Sequence, residues 1–333
     1  MGWRDRETLG EKMVAQVHDV LHIDDRYIVP DPLGFTYWAG ESATRVETDQ
    51  GLFRQGMVTY RVTARTEVVR PRGHLREVAL ALEQEMDQCT FSGPDYDRAN
   101  DMISLGCGVY LADENAEWLE RMFTAAVALQ VTEAAELADS LTKSTKVGRA
   151  VSAHPSAGPR QQMDEALLHA RTMFAPMGDR PSCWIGVDEW RRTKWVLERE
   201  AFDWETDEST HLSAGFRWSC GQEPIRLAVR IDEPDAKLGN GLHATLSIPM
   251  ALNPEAIAHL VLDLNHIERV DYKRCHTLGS WCAHDGKLAF RLFVPNALYD
   301  ARVLEELCVT MSTRSIWVDE WFVAMRQAAQ AQR

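Results

Sequence analysis

The sequence predicts an α+β protein made of two linked copies of one antiparallel unit. Runs in which apolar and polar residues alternate, as in half-buried strands, are followed by segments with one apolar helical face. The order strand, strand, helix, strand, strand, helix is found in residues 35–145 and again in residues 215–325. Self-similarity of this kind indicates an internal duplication, here of a unit of roughly 110–130 residues.

The first unit begins with a short amphipathic helix. A single apolar face is typical of a helix that lies on a core, so we expect this helix to pack on the first unit. The breaker Pro30-Asp31-Pro32-Leu33-Gly34 separates it from the strands. The apolar positions that recur at helical spacing are Leu9, Met13, Val14, Val17 and Leu21.

The remaining elements of the first unit follow from the same two periodicities. Alternation predicts strands, and a spacing of three or four residues predicts helices. In chain order, the predicted elements are a strand at 35–40, a turn at 49–52, a strand at 58–65, a helix carrying Leu75, Val78, Leu82 and Met86, a strand at 102–111, and a helix carrying Trp118, Leu119, Met122, Val127 and Leu137.

The second unit contains the clearest strand pattern of the chain. Apolar residues alternate with polar ones from Leu242 to Ile248. Pro249 ends the strand, because proline cannot donate a hydrogen bond to a ladder. The preceding Gly239-Asn240-Gly241 predicts a tight hairpin, since an Asn-Gly pair accepts the positive φ that both turn positions need.

A helix and a second hairpin follow this strand. Asn253-Pro254 predicts a helix start, with Asn as the N-cap and Pro at the first helical position. Asp285-Gly286 predicts the next hairpin turn, Val294-Pro295-Asn296 closes the following strand, and a long helix begins at Val303. The apolar face of the first of these helices, with Leu264 at its centre, is formed by Ile257, Leu260, Val261, Leu264 and Ile267.

Two short sequence similarities support the duplication. Phe35-Thr36-Tyr37-Trp38-Ala39-Gly40 is similar to Phe216-Arg217-Trp218-Ser219-Cys220-Gly221. Asp49-Gln50-Gly51-Leu52 holds the same place in the order of elements as Gly239-Asn240-Gly241-Leu242. We therefore expect the same strand connectivity in both units.

The chain is divided into two units and a connection. Residues 1–145 form the predicted first unit, residues 146–205 a linker with a Trp-rich helical segment, and residues 206–333 the second unit. Residues 146–160 are rich in Gly, Ser, Pro and Ala without periodicity, which is typical of a linker. We interpret the tryptophans as joining the two units, with an exposed interface anchor as the alternative. They are Trp184, Trp190 and Trp195.

Composition and charge restrict the classes of partner. Of 333 residues 45% are apolar, but no apolar run approaches the roughly 18 residues that span a membrane. A net charge of −14, with arginines scattered singly, argues against nucleic-acid binding. Met1 to Arg6 lack an apolar signal segment, and seven scattered cysteines suit a reducing compartment. We therefore expect a cytoplasmic protein with no membrane partner.

Familiar motifs of catalysis and cofactor binding are absent from the sequence. The patterns G-x-x-x-x-G-K-[ST], G-x-G-x-x-G, G-x-S-x-G and H-E-x-x-H do not occur in a suitable context. Gly106-Cys107-Gly108 and Gly239-Asn240-Gly241 are too short to hold a pyrophosphate, and they suit a bulge or a turn. We expect no catalytic residue and no cofactor.

One group of residues has the ligand types of a zinc site. Cys275, His276, Cys282 and His284 are donors that four-coordinate zinc accepts. Their spacing matches no common zinc finger, and Trp281 between them suits packing. We therefore predict that no structural metal is bound here.

Several motifs of the second unit resemble one bacterial family. The similarity is to the C-terminal domain of bacterial proteins related to YbjN and to type III secretion chaperones, sometimes called TY-chaperones. It covers about residues 215–325, whereas the first unit shares only the order of elements. The motifs are Leu238-Gly239-Asn240-Gly241-Leu242, Ile248-Pro249, Asn253-Pro254, Leu278-Gly279-Ser280-Trp281-Cys282 and Phe293-Val294-Pro295-Asn296.

The resemblance implies an α+β fold in which a curved antiparallel sheet packs against helices. It also implies binding of polypeptides or partner proteins without catalysis, and it supplies no catalytic residue. This chain departs from secretion chaperones in having two linked units. The matching positions are implied to be architectural, as turns, a core aromatic residue and a helix start: Gly239, Asn240, Gly241, Trp281, Pro295 and Asn296.

We therefore expect a chaperone-like protein that binds a polypeptide or protein client through an open sheet face, a sheet edge or a groove. An enzyme with a Cys/His site between the units and a structural subunit of a larger assembly are the alternatives. An apolar groove without perturbed ionisable groups would favour the binding of a client. A cleft that gathers Cys, His and Asp would favour an enzyme, and broad flat apolar patches would favour a structural subunit. Because secretion chaperones commonly form homodimers, we expect an internal pseudo-dimer and a monomeric chain.

Overall fold

The structure is a computed structural model of the chain. No helix in its described ranges combines the length and the apolarity needed to cross a membrane. The described residues are 3–54, 56–85, 90–164, 167, 172, 174, 180–185, 187–207, 210–250, 252–270 and 278–331.

The first unit is an antiparallel sheet with helices packed on it. Its described elements are α1 (Leu9–Val20), β1 (Ile28–Asp31), β2 (Gly34–Trp38), β3 (Ala43–Thr48), β4 (Leu52–Arg54), β5 (Met57–Arg70), α2 (Leu75–Glu85), β6 (Gly93–Asp97), β7 (Met102–Leu111), α3 (Ala116–Ser144) and β8 (Gly148–Arg149). The strand order is β1-β2-β3-β5-β7-β6, and the short strands β4 and β8 also pair with β5.

The second unit is built in the same way. Its described elements are α4 (Val187–Glu200), β9 (Asp203–Thr206), β10 (His211–Phe216), β11 (Ile225–Arg230), β12 (Gly241–Ile248), α5 (Pro254–Val270), β13 (Ser280–His284), β14 (Lys287–Pro295) and α6 (Val303–Ala331). The strand order is β9-β10-β11-β12-β14-β13, with antiparallel pairing throughout. The predicted α+β class is confirmed.

The two sheets have the same connectivity. In each unit a helix comes first, and four antiparallel strands that are neighbours in the sheet follow it. A second helix and a hairpin come next, and the second strand of this hairpin pairs with the last of the four strands. The two similar segments are not in the same register, because Phe35 and Trp38 both lie within β2, whereas Phe216 is the last residue of β10 and Trp218 follows that strand. This shared connectivity is what a duplication requires, and the duplication itself stays a prediction.

Local sequence signals explain where several elements begin and turn. At the start of α1 the Thr8 hydroxyl accepts a hydrogen bond from the Glu11 amide, and the Glu11 carboxylate accepts one from the Thr8 amide. The Asn253 side chain accepts from the Ala256 amide at 2.8 Å, which confirms the predicted cap of α5. Both residues of Asp285-Gly286 have positive φ, as the predicted hairpin requires.

One continuous apolar core extends through both units. Trp118 and Met122 of α3, in the first unit, line a small gap together with Leu292 of β14 in the second unit. Leu264 and Trp281 are fully buried, which confirms their predicted place in the core of the second unit. Burying apolar surface from both units in one core stabilises each against the other.

Equivalent elements of the two units contact each other. Helix α2 packs against α5, and the sheet-edge strands β6 and β13 approach each other. The Gly279 amide donates to the Phe91 carbonyl at 2.9 Å, and any side chain at Gly93 would collide with Ser280. The absence of a side chain at Gly93 therefore permits this close approach.

The predicted Asn-Gly hairpin before β12 is wrong. Strands β11 and β12 are joined by residues 231–240, and only Gly239 of the three predicted turn residues has positive φ, at 72°. The Asp235 side chain accepts hydrogen bonds from two amides of this connection, and the Asp235 and Gly239 backbones pair with each other. A longer connection, closed by the Asp235 side chain, therefore replaces the tight turn. Asn240 follows the closed part of this connection and is not a turn residue.

Much of the predicted linker is integrated into the two units. Strand β8 pairs with β5, the Trp38 indole donates to the Ser152 hydroxyl at 3.0 Å, and the Arg160 guanidinium donates to the Trp38 carbonyl at 3.1 Å. Helix α4 packs on α6, and β9 pairs with β10. The elements of the second unit thus begin at α4, ahead of residue 206. Long-range contacts hold residues 148–160, which have no periodicity of their own, on the first unit.

Candidate functional site

An apolar groove of about 370 Å³ lies between α1, α3 and the corner that joins β14 to α6. Its lining consists of Gln16, Val20, Leu21, Arg121, Thr124, Ala125, Ala128, Phe174, Ala297 and Leu298. Arg121 is the one ionisable side chain in this lining, and its guanidinium donates to the Ala297 carbonyl at 3.2 Å. The groove therefore offers apolar contacts and a single charge that is already hydrogen-bonded.

Small residues of α3 make this groove deep. Ala125 and Ala128 are buried, and their short side chains leave room above the helix. Val20, at the end of α1, is 50% exposed and forms part of the wall. Phe174 is half-buried against the core and lines the same space. The remaining volume suits apolar side chains from another molecule.

A short segment before α4, residues 180–185, is held against the second unit, and we call it the strap. Trp184 of the strap is fully buried, and its ring meets that of Tyr299 edge-on at 5.2 Å between centroids. The Trp190 indole of α4 donates to the Trp184 carbonyl at 2.9 Å. The strap is thus anchored by one aromatic side chain and by α4.

Two asparagines hold the backbone of the strap, and we call their side chains the amide clamp. The Asn296 side chain donates to the carbonyls of Arg180 (3.3 Å) and Pro181 (3.0 Å) and accepts from the Cys183 amide (2.9 Å). The Asn240 side chain donates to the Arg180 carbonyl at 2.8 Å. A primary amide can both donate and accept, so it can replace a strand as partner of an irregular backbone.

Most of the predicted motif positions meet at this clamp. The Gly241 carbonyl accepts a hydrogen bond from the Ser182 hydroxyl at 3.0 Å, and Gly239 provides the positive φ of the adjoining turn. Pro295 ends β14 and is followed by Asn296, which begins a 3-10 turn ahead of α6. Trp281 lies apart from them, in the core. The sequence motif indicated Asn240 and Asn296 as architectural residues but could not show that they bind the strap.

A polar cluster lies at the joint between the units, where β6 meets α5. The Asp95 carboxylate, which is buried, contacts the His266 ring at 2.9 Å and the Arg269 guanidinium at 2.9 Å. Arg269 also donates to the Gly106 carbonyl at 3.1 Å. A carboxylate of the first unit therefore meets the Arg269 guanidinium and the His266 ring of the second unit, and the ring is a cation when it is protonated.

The ionisation of this cluster follows from its contacts. Burial alone raises the pKa of Asp95, but Arg269, the hydrogen bond from His266 and Arg65 outweigh it, and the net pKa is lowered. The hydrogen bond to Asp95 raises the pKa of His266 against the opposing effect of burial. The contacts form an ion cluster that joins the two units.

A second ion pair is buried inside the second unit. The Arg314 guanidinium binds both carboxylate oxygens of Glu268, at 2.6 and 3.0 Å, and it lies 3.5 Å from the centre of the Phe290 ring. The Trp281 indole donates to the same carboxylate at 3.0 Å. Bidentate pairing and cation–π contact satisfy a charge that would otherwise be costly to bury.

The buried cysteines give no support to a thiolate site. Burial raises the pKa of both Cys107 and Cys308 to about 12, so each is a protonated thiol at neutral pH. Nucleophilic attack requires the thiolate. Within the described ranges no group of His, Cys, Asp and Glu side chains has the geometry of a metal site.

The zinc-like residues of the sequence are only partly within the described ranges. Cys275 and His276 lie outside them. Cys282 is buried in an apolar cluster with Leu262, and His284 is near the Asp285 carboxylate at 3.7 Å. The structure therefore gives no support to a site formed by Cys282 and His284, and the absence of a structural metal stays a prediction.

Comparison with known proteins adds no relative to this description. No family model, no curated protein and no solved structure matches the chain. Fold and site together define an α+β protein of two equivalent units with an apolar groove and an adjoining strap. The similarity to YbjN and to secretion chaperones stays a prediction.

Proposed function

We propose that this protein binds a segment of a partner polypeptide in the apolar groove and catalyses no reaction there. The observation behind the proposal is a groove of about 370 Å³ whose one ionisable side chain, Arg121, is already hydrogen-bonded. Ligand sites are typically concave and mostly apolar, and grooves beside helices accept the apolar side chains of peptides. A chaperone-like role would use this surface.

The open face of the first sheet is a weaker candidate. Val46 and Ala64 point into the core, so the residues that alternate with them lie on the opposite face. Those residues include Arg45, Glu47 and Thr63. A charged and polar face offers little apolar area, whereas the groove offers apolar surface that is already concave.

Charge and redox state suggest the kind of partner and its compartment. The chain has a net charge of −14, which favours neutral or basic polypeptides over nucleic acid. Cys107, Cys183, Cys220 and Cys308 are free thiols, two of them only half-buried. Free thiols are typical of a reducing compartment, so the proposal places binding in the cytoplasm.

The test uses two matched substitutions. Val20→Asp puts a charge on the groove wall, and Val151→Asp makes the same change at a similarly exposed valine outside the lining. Fluorescence anisotropy measures the binding of short unstructured peptides that differ in apolar content. We expect Val20→Asp to weaken binding about tenfold, since an apolar side chain contributes roughly 1.5–3 kcal/mol when buried. Equal effects of the two substitutions, or no binding to the unaltered chain, would contradict the proposal.

A structural subunit is the second candidate, and one surface favours it. The β4–β5 hairpin exposes Phe53, Met57 and Val58, which are 70%, 45% and 42% exposed. Adjacent exposed apolar residues are typical of contacts between proteins. If this hairpin mediates assembly, Phe53→Ser should lower the mass of the particles in light scattering.

A further inference from the structure

The corners that follow β7 in the first unit and β14 in the second differ in how they use an asparagine. In the first unit the Asn115 side chain accepts from the Ala112 amide (2.9 Å) and donates to the Tyr110 carbonyl (3.0 Å), both within its own corner. In the second unit the Asn296 side chain binds the strap, a segment more than a hundred residues away in sequence. The first unit forms the shared connectivity without such a clamp, so the clamp is an addition to the fold.

The second unit binds the strap in the way that a peptide-binding site holds a peptide. The clamp contacts backbone atoms of Arg180, Pro181 and Cys183, which any sequence would offer. Two side chains of the strap are bound: the Ser182 hydroxyl donates to a backbone carbonyl, and the Trp184 ring is fully buried. A segment with a small hydroxyl residue two positions before an aromatic residue satisfies the same contacts.

The fit of the strap is incomplete at its anchor. The Trp184 indole nitrogen is buried and has no hydrogen-bond partner among the described residues. A buried donor without an acceptor weakens the bound state relative to the released one. A competing segment with phenylalanine at this position would avoid that loss.

The groove and the clamp share one wall. Ala297 and Leu298, which line the groove, directly follow Asn296 of the clamp. The groove and the clamp therefore adjoin each other at the corner between β14 and α6.

We propose that the amide clamp and the position of Trp184 form a peptide-binding site that the strap occupies as a built-in ligand. A partner segment with serine or threonine two residues before tryptophan or phenylalanine exchanges with the strap. This inference rests on the proposed function, since it extends the groove by a second, sequence-selective contact. Binding of such a segment releases residues 180–185 from the second unit.

Cys183 reports the release of the strap in the full chain. Its thiol is half-buried, and burial raises its pKa, so alkylation is slow while the strap is held. Cys220, also half-buried, is the internal reference, and mass spectrometry reads the two sites separately. The probe is a synthetic copy of residues 178–187 with Cys183→Ser, and its control carries Trp184→Ala as well.

The expected result is faster alkylation of Cys183 relative to Cys220. A tethered ligand acts at an effective concentration on the order of millimolar, so probe at about ten times that concentration should displace the strap in about nine molecules of ten and bring the rate at Cys183 close to that of the released strap. The control peptide should leave the rate unchanged. In the chain itself, Trp184→Ala should lower the probe concentration that is needed, because it weakens the strap.

Substitutions of Asn296 in the clamp and of Asn115 in the first unit provide a matched pair. Asn296→Ala should raise the basal rate at Cys183 and remove the effect of the probe, whereas Asn115→Ala, at the equivalent corner of the first unit, should change neither. An unchanged rate at saturating probe in both the unaltered chain and the Trp184→Ala chain would overturn the inference. So would equal acceleration by the control peptide. If peptide binding in the groove is sensitive to Val20→Asp but the alkylation of Cys183 stays slow, the proposed function is retained and the exchange of the strap is rejected.

Discussion

At the scale of single residues, ion pairs of very different burial lie along α5. Glu268 pairs with Arg314, whose side chain is completely buried, and the Trp281 indole completes the contact. One turn earlier, Asp263 pairs with Arg98 at the surface, where both side chains are largely exposed. Solvent screens an exposed pair, whereas removal of one partner from a buried pair leaves a charge without compensation.

We predict that Glu268→Gln destabilises the protein by about 3–5 kcal/mol, because it removes the bidentate ionic partner of the buried Arg314 guanidinium. Asp263→Asn, which removes the exposed pair, should cost less than about 1 kcal/mol. Urea unfolding monitored by circular dichroism measures both. Comparable small losses for the two variants would show that Arg314 does not depend on Glu268.

The pH dependence of stability should reflect His266. Because its folded pKa is raised, the protonated ring stabilises the folded state below its ordinary pKa of 6.5, and this contribution is lost as the pH rises through the folded pKa. Asp95 has a lowered pKa, so its contribution is present above 3.8 and is lost only in stronger acid. Between pH 3.8 and 6.5 both charged groups therefore stabilise the contact between the two units.

We predict that His266→Gln reduces stability more at about pH 5 than at about pH 8, since only the protonated ring attracts the Asp95 carboxylate. His259→Gln, on the same helix, controls for the loss of a histidine. Urea midpoints of the three proteins across this pH range provide the comparison. A difference between His266→Gln and the unaltered chain that does not change with pH would exclude the ion pair as its source.

At the scale of elements, α5 serves both units at once. Its residues Ile257, Val261 and Leu264 pack into the core of the second unit. Ala258 and Leu262 belong to a separate apolar cluster that includes residues of α2 and α3. A helix with two buried faces transmits packing changes to both units, so its core positions should tolerate little change.

We predict that Leu264→Ala costs about 2–5 kcal/mol, because the site is fully buried and the lost side chain leaves a cavity. Leu260→Ala, on the same helix but half-buried, should cost distinctly less. Chemical denaturation measures both substitutions. A loss under about 0.5 kcal/mol for Leu264→Ala would be typical of a surface position and would contradict its place in the core.

At the scale of the whole molecule, the two units pair through equivalent elements. Helices α2 and α5 and the edge strands β6 and β13 meet at the joint, and the apolar core is continuous across it. Covalent linkage makes this contact intramolecular, at an effective concentration on the order of millimolar. The net charge of −14 further opposes contact between whole chains.

We predict that the full chain is a monomer of 37.7 kDa in light scattering. An isolated second unit, residues 187–333, should dimerise or aggregate, because it would expose the surface that α2 and β6 cover in the full chain. The two proteins are compared at equal molar concentration. A dimeric full chain together with a well-behaved monomeric second unit would show that the units do not complete each other.

Much of the fold could be predicted because its signals are local. The alternation from Leu242 to Ile248 and the Asn253-Pro254 cap each depend on neighbours within a few residues, and both elements form where they were expected. The Asn-Gly turn shows the limit of such signals. Backbone pairing between Asp235 and Gly239 closed the connection differently, although the local pair favoured a tight turn.

The sequence by itself determined the α+β class and the burial of Leu264 and Trp281, since periodicity decides which side chains must leave water. Only the tertiary structure decided the groove, the clamp and the polar joint. Asn296 binds an amide 113 residues away, and His266 binds a carboxylate 171 residues away. No local pattern encodes such pairs, because they exist only after segments that are distant in sequence have packed together.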